Sequence, residues 1–209
     1  MAGIQQGVGD LSVMPFLAPT AVVAATASLG SGTQIWDTAH VGERARLGKD
    51  CVVGRGAFVD HDVQIGSKCK IQNNALVYFP AILGSGVFVG PAASLTNDLY
   101  PRAVNSDGSL KTGADWDPKG VIVGDGASIG AQAVILGGVS LGQWVVVAAG
   151  AVVTRSVKPH ALVAGVPARQ IAWVGRSGRR LEERADQLLV DPVTGETFRA
   201  ISDELIEVS

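Results

Sequence analysis

The chain is poor in the residues that several large protein classes depend on. Aromatic residues make up 5% and charged residues 17% of its 209 positions, and the formal net charge is −2. Duplex binding rests on a basic footprint, so nucleic acid is not an expected partner. No apolar run approaches the roughly 20 residues of a membrane-spanning helix. The first basic residue is Arg44, so the positive n-region of a signal peptide is missing and a cytoplasmic protein is expected. Two cysteines, Cys51 and Cys69, allow at most one disulfide. The three histidines, His40, His61 and His160, do not share a spacing that would converge on zinc, so no metal site is expected.

What the chain has is glycine, 27 residues of it, and a strict period. Every sixth residue from Leu17 is a branched aliphatic: Leu17, Val23, Leu29, Ile35, Val41, Leu47, Val53, Val59, Ile65, Ile71, Val77, Leu83, Val89 and Leu95. The period resumes in a new phase at Val123, Ile129, Ile135, Leu141, Val147 and Val153, with small residues such as Ala57, Ala127 and Ala133 four positions after most anchors. Six residues fit neither an amphipathic helix nor one long strand, but they fit a short strand plus a corner, repeated. Three such units close a triangular coil of 18 residues with the anchors inside. Cys51 and Cys69 are 18 apart, so they belong on adjacent coils, where buried, reduced thiols are expected.

Between Leu95 and Val123 the period fails, and a Pro- and Gly-containing stretch must leave the coil as a long loop. Stepping back by 18 from Thr96, Asn97 and Asp98 gathers Tyr78, Asp60, His61, Asp62, Glu43 and Arg44 at the corner where that loop departs. His40 precedes this corner on the column of Phe58, Leu76 and Ser94. A second polar run, Gln72-Asn73-Asn74, falls on a different corner, where stacked amides serve either structure or substrate. His61 is a candidate general base and His40 a lesser one. Trp116, Tyr100 and Arg102 give the loop a recognition-rich composition.

The hexad pattern resembles the hexapeptide-repeat family, whose fold is a left-handed parallel β-helix; the left hand is implied by that resemblance alone. Past the coil, Gly165-Val166-Pro167-Ala168-Arg169 looks like the cofactor end of hexapeptide acetyltransferases. Ile35-Trp36 with His40, Lys70-Ile71-Gln72-Asn73-Asn74, Val77-Tyr78, Val89-Gly90-Pro91 and Thr96-Asn97 with Tyr100-Pro101-Arg102 narrow the likeness. Together they are similar to bacterial nucleotide-sugar N-acetyltransferases acting on the 3-amino group of UDP-2-acetamido-3-amino-glucuronate. The loop from Val104 to Lys119 is longer here, and Asp98 follows the Thr-Asn pair.

The resemblance implies an acetyl-CoA-dependent N-acetyltransferase of surface polysaccharide or glycan synthesis. It also implies a homotrimer with sites between subunits and a UDP- or dTDP-linked amino sugar as partner. Asn97 falls on the family's important asparagine, with His61 as the rival catalytic residue. Substrate is expected at His40, Asn73, Asn74, Tyr78, Asp98, Tyr100 and Arg102. Coenzyme A is expected along Gly137, Gly138, Ala148, Ala149 and Gly150, with Pro167 and Arg169 at its phosphates. A sugar O-acetyltransferase using a histidine base and a non-catalytic scaffold are the alternatives. The expected architecture is an all-β chain: a β-helix over 1–160 with a loop insertion at 97–120, and a C-terminal cap over 161–209. Arg176 to Leu189 reads as a short amphipathic helix, and Thr197-Phe198-Arg199 as part of a hairpin.

Overall fold

The computed structural model describes residues 14–201 and 204–208. Each sequence anchor closes a two-residue strand, from β1 (Phe16–Leu17) to β14 (Ser94–Leu95) and from β15 (Ile122–Val123) to β20 (Val152–Val153). These strands stack as three parallel sheets, the faces of a triangular left-handed β-helix. Register repeats every 18 residues: on the second face His40 pairs with Phe58, Phe58 with Leu76, and Leu76 with Ser94. From Gln34–Ile35 to Val152–Val153 the second residue of each two-residue strand is buried. Ile35, Val41, Val53, Val59, Ile71, Val77, Leu95, Ile129 and Ile135 are fully buried, as are the small residues Ala39, Ala45, Ala75, Ala93, Ala133 and Ala151 where the walls meet. Each buried Val, Ile or Leu contributes about 1.5–3 kcal/mol by leaving water, so the period in the sequence is also the main source of stability.

The corners have their own rule. The third corner residue repeatedly takes a left-handed backbone, with φ 57° at Arg44, 55° at Asp62, 59° at Asn74 and 77° at Gly138. This turns the chain by the angle a triangle needs. It is a property of the coil rather than of any one site. Cys51 and Cys69 lie buried and free one coil apart, and their thiols donate to the Gly66 and Gly84 carbonyls at 3.1 Å.

The long loop leaves the coil without disturbing it. Ser94 pairs with Val134, a step of 40 where the preceding step is 18, so 22 residues are looped out between successive coils. The excursion is pinched by a Val104–Leu110 bridge and ends in a 3-10 turn, Gly113–Asp115, capped by Thr112. Its two ends close on each other where Lys119 N donates to the Asn97 carbonyl at 2.8 Å.

Past the coil, β21 (Ala161–Gly165) joins the first face and pairs antiparallel with β22 (Ala168–Trp173) across the Val166-Pro167 turn. The helix expected over Arg176 to Leu189 does not form. Gly178 and Gln187 adopt left-handed φ of 76° and 63°, and Val174 bridges Arg180. The charged run then enters a four-stranded antiparallel sheet as β23 (Glu182–Glu183), with β24 (Leu189–Val190), β25 (Thr197–Ile201) and β26 (Glu204–Val208). The turn expected ahead of Thr197-Phe198-Arg199 joins β24 to β25, which pair antiparallel. No helix among the described residues is long and apolar enough to cross a membrane.

Candidate active site

Two residues past the second-face strands lies the middle column of one corner: Glu43, His61, Phe79, Asn97, Gly137 and Arg155. Their alignment follows from the register of Phe58, Leu76, Ser94, Val134 and Val152. Neighbouring coils stand about 4.8 Å apart, so His61 and Asn97, two coils from each other, are separated by about 9.6 Å along this edge.

His61 is oriented from both sides. Its Nδ1 lies 2.8 Å from Asp62 Oδ2, and its ring stacks on Phe79 with centroids 4.6 Å apart. Arg44 holds Asp62 through two parallel bonds of 2.8 Å and is itself joined to Glu43 at 2.9 Å. These partners, Arg44 first and His61 second, lower the Asp62 carboxyl to a pKa of about 2, and Arg44 is correspondingly raised. An ionised carboxylate only accepts, so the neutral ring carries its proton on Nδ1 and presents the Nε2 lone pair outward. Asp60 Oδ1 is 4.0 Å from Nε2 and accepts the His61 backbone N–H at 2.8 Å, while Asp60 Oδ2 accepts from Phe79 N at 3.2 Å. The imidazole thus lies between two carboxylates, Asp62 at Nδ1 and Asp60 near Nε2.

Asn97 is the last coil residue before the excursion. Its Nδ2 donates to the Phe79 carbonyl at 2.6 Å, which fixes the amide and leaves Oδ1 as a free acceptor. Phe79 thus touches both catalytic candidates, one through its ring and one through its carbonyl. Gly137 lies buried one coil on, where an added Cβ would meet the Lys119 carbonyl at 2.7 Å and Asn97 Cα at 3.1 Å. Gly137 N donates to Thr96 Oγ1, and Gly138 N to the Gly120 carbonyl, both at 3.1 Å. These two glycines support the root of the excursion.

The other sequence candidates divide into three groups. Tyr78 stands at this corner, linked through Phe58 to His40 by ring contacts of 5.5 and 5.1 Å, so His40 sits on the flat of the face rather than at the corner. Asp98 and Arg102 line a 290 Å³ hollow in the excursion with Lys111 and Trp116, whereas Tyr100 is 81% exposed. Asn73 and Asn74 occupy another corner, where Asn73 Oδ1 accepts from Arg55 N at 3.0 Å. Ala148, Ala149 and Gly150 share that second corner, so one copy of the chain does not bring them together with Gly137 and Gly138.

Arg169 lines a groove of 240 Å³ with Arg155, Ser156, Lys158 and Gln170, while Pro167 sits in the adjoining exposed turn. Arg155 and Lys158 went unremarked in the sequence. The available signal was an 18-residue step forward from Gly137, which lands on Arg155. Three cationic side chains around one groove suit phosphate groups, Arg through its planar fork and Lys as a point charge. Among the described residues no cluster of His, Cys, Asp or Glu is arranged to share a metal ion.

Two family models match the coil: bacterial transferase hexapeptide (six repeats) over residues 120–155, and hexapeptide repeat of succinyl-transferase over residues 40–78. Serine acetyltransferase 2 of Arabidopsis thaliana is 36% identical over 122 residues, 57% of this chain and 35% of that protein. Serine acetyltransferase of Escherichia coli (strain K12) is 41% identical over 86 residues, 41% of this chain and 30% of that protein. The chain thus spans about a third of the length of these curated relatives. Among solved structures, PerB from Caulobacter crescentus in complex with CoA and GDP-perosamine is 27% identical with a TM-score of 0.49, covering 77% of this chain and 58% of that one. The two matches lie on either side of the excursion, one before it and one after it.

Proposed function

We propose that the chain transfers an acetyl group from acetyl-CoA to the amino group of a nucleotide-linked amino sugar, UDP- or dTDP-linked, for surface polysaccharide or glycan synthesis. The observation that carries this reading is the single corner that aligns His61, Asn97, Gly137 and Arg155 and ends beside the groove of Arg155, Lys158 and Arg169. Coenzyme A phosphates would sit in that groove, with the thioester reaching back toward Asn97. A homotrimer, with a neighbour's Ala148-Ala149-Gly150 corner facing this one, would complete the cofactor path.

In the proposed step the acceptor nitrogen attacks the thioester carbonyl carbon, the C–S bond breaks and acetyl is left in amide linkage. His61 Nε2 takes the proton lost by the amine and returns it to the departing thiolate, so the products are the N-acetyl sugar and free coenzyme A. Asn97 Oδ1 orients the amine. An amine beside electron-withdrawing ring oxygens titrates nearer the α-amino value of about 7.7–8.0 than that of lysine, so a neutral fraction is present near pH 7.

The His61–Asp62 pair also favours a second reading, acetylation of a sugar hydroxyl, because a hydroxyl keeps its proton at neutral pH and needs a base. Thiol release from acetyl-CoA, followed against UDP- and dTDP-linked amino sugars and their hydroxyl counterparts, separates the two. Release with amino sugars alone supports the proposal. Release with hydroxyl sugars alone supports the second reading, and protein that binds no coenzyme A would be a scaffold.

A further inference from the structure

On the third face, reaching the corner just described at Arg44 and Asp62, lies a shallow groove of 570 Å³ lined by Thr26, Ser28, Arg44, Arg46, Asp62 and Gln64. Ser28, Arg46 and Gln64 are successive outward residues of one column, paired by register. The same column continues as Ile82 and Ile122, which are exposed and apolar. The column is polar at Ser28, Arg46 and Gln64 on three successive coils and polar again at Ser140, and the groove shares Asp62 and Arg44 with the His61 pair.

Its charges are not all spent. Arg44 is held by Asp62 and Glu43, and Thr26 Oγ1 accepts from Arg44 N at 3.1 Å. Among the described residues, the side chains of Ser28, Arg46 and Gln64 enter no hydrogen bond or ion pair. A guanidinium flanked by an amide and a hydroxyl presents hydrogen-bonding groups and one positive charge to whatever enters the groove. It matches a hydroxyl-rich molecule that bears an anionic group, with the anion on the Arg46 fork.

We infer that this third-face groove is an acceptor subsite that binds the anionic, polyhydroxylated part of the substrate and leads it to His61. The inference rests on the proposed acetyl transfer, but its test does not. Equilibrium titration of the full chain uses UDP-glucose, glucose 1-phosphate, glucuronate and neutral glucose as probes, with coenzyme A titrated separately. At least one anionic probe binds and glucose does not; Arg46→Ala weakens that probe about tenfold or more, Arg46→Lys restores part of the affinity, and coenzyme A is bound as before. The first two probes carry phosphate and the third a carboxylate, so the arms also name the anion. Failure of every anionic probe to bind, or unchanged affinity in Arg46→Ala and Gln64→Ala, overturns the subsite while coenzyme A binding keeps the transferase reading alive. Absence of coenzyme A binding overturns the transferase reading instead.

Discussion

Substituting Gly137 by alanine tests whether the root of the excursion positions Asn97. Gly137 has no left-handed backbone, so alanine carries no dihedral penalty there; its only effect is steric. The new methyl would stand 2.7 Å from the Lys119 carbonyl oxygen and 3.1 and 3.2 Å from Cα and C of Asn97. Ordinary separations are about 3.5 Å, so the two ends of the excursion must lift by about half an ångström or more. The coil interior is untouched, because the clash lies outside the wall. Overpacking of this kind costs about 1–3 kcal/mol. Since a 1 Å misplacement can cost about 100-fold in rate, a kcat loss of about tenfold is expected, with the fold retained. Thermal unfolding and initial rates of thiol release, measured with the best acceptor, read both quantities. Gly113→Ala is the control, since a Cβ there meets nothing within 4 Å. A Gly137→Ala protein with wild-type kcat would refute the positioning role.

Three further outcomes follow from the geometry. His61→Ala lowers kcat by about 10²–10⁴-fold, Asp62→Asn lowers it less by freeing the ring tautomer, and Asn97→Ala slows the reaction without moving its pH profile; loss confined to Asn97→Ala would remove the base. In the C-terminal sheet, burial alone would raise the Asp191 carboxyl, but bonds from the Ser177 hydroxyl and the N–H groups of Val193, Ser177 and Thr194 hold it at about 2. A depressed carboxyl contributes stability above its unfolded pKa near 3.9 and loses it as pH falls toward 2. Unfolding curves of the wild type should therefore weaken in that window, and Asp191→Ala should cost about 1–3 kcal/mol for each N–H left unpaired at neutral pH; a flat acid response would contradict this. Cys51 and Cys69 should resist a thiol reagent in the native protein and react only after denaturation, because both are fully buried; rapid native labelling would show that the coil opens.

The coil was legible because its physics is local and repeated. A fixed 18-residue step turns sequence position into spatial column, so the corner of Asp60, His61, Asn97 and Tyr78 could be assembled by counting. Counting failed where the 22-residue excursion hid the continuation of the column, which is why Arg155 went unnoticed. It also could not show that Arg44 clamps Asp62, since both side chains leave the corner from left-handed residues whose directions depend on the turn. The amphipathic reading of Arg176 to Leu189 failed because helical periodicity ignored Gly178 and the strand partners waiting at Leu189 and Val190. Asn73 illustrates the remaining ambiguity: its side-chain oxygen accepts from the Arg55 backbone N–H, one of the two roles its spacing allowed.

The central claim is amide formation at the His61–Asn97 corner. Its most direct measurement supplies acetyl-CoA labelled in the acetyl group together with a nucleotide-linked amino sugar, isolates the sugar, and treats it with neutral hydroxylamine. The account predicts label on the sugar that withstands hydroxylamine, as an amide does, and its loss in His61→Ala. Label that stays on coenzyme A, or that is released as a labile ester, would contradict it.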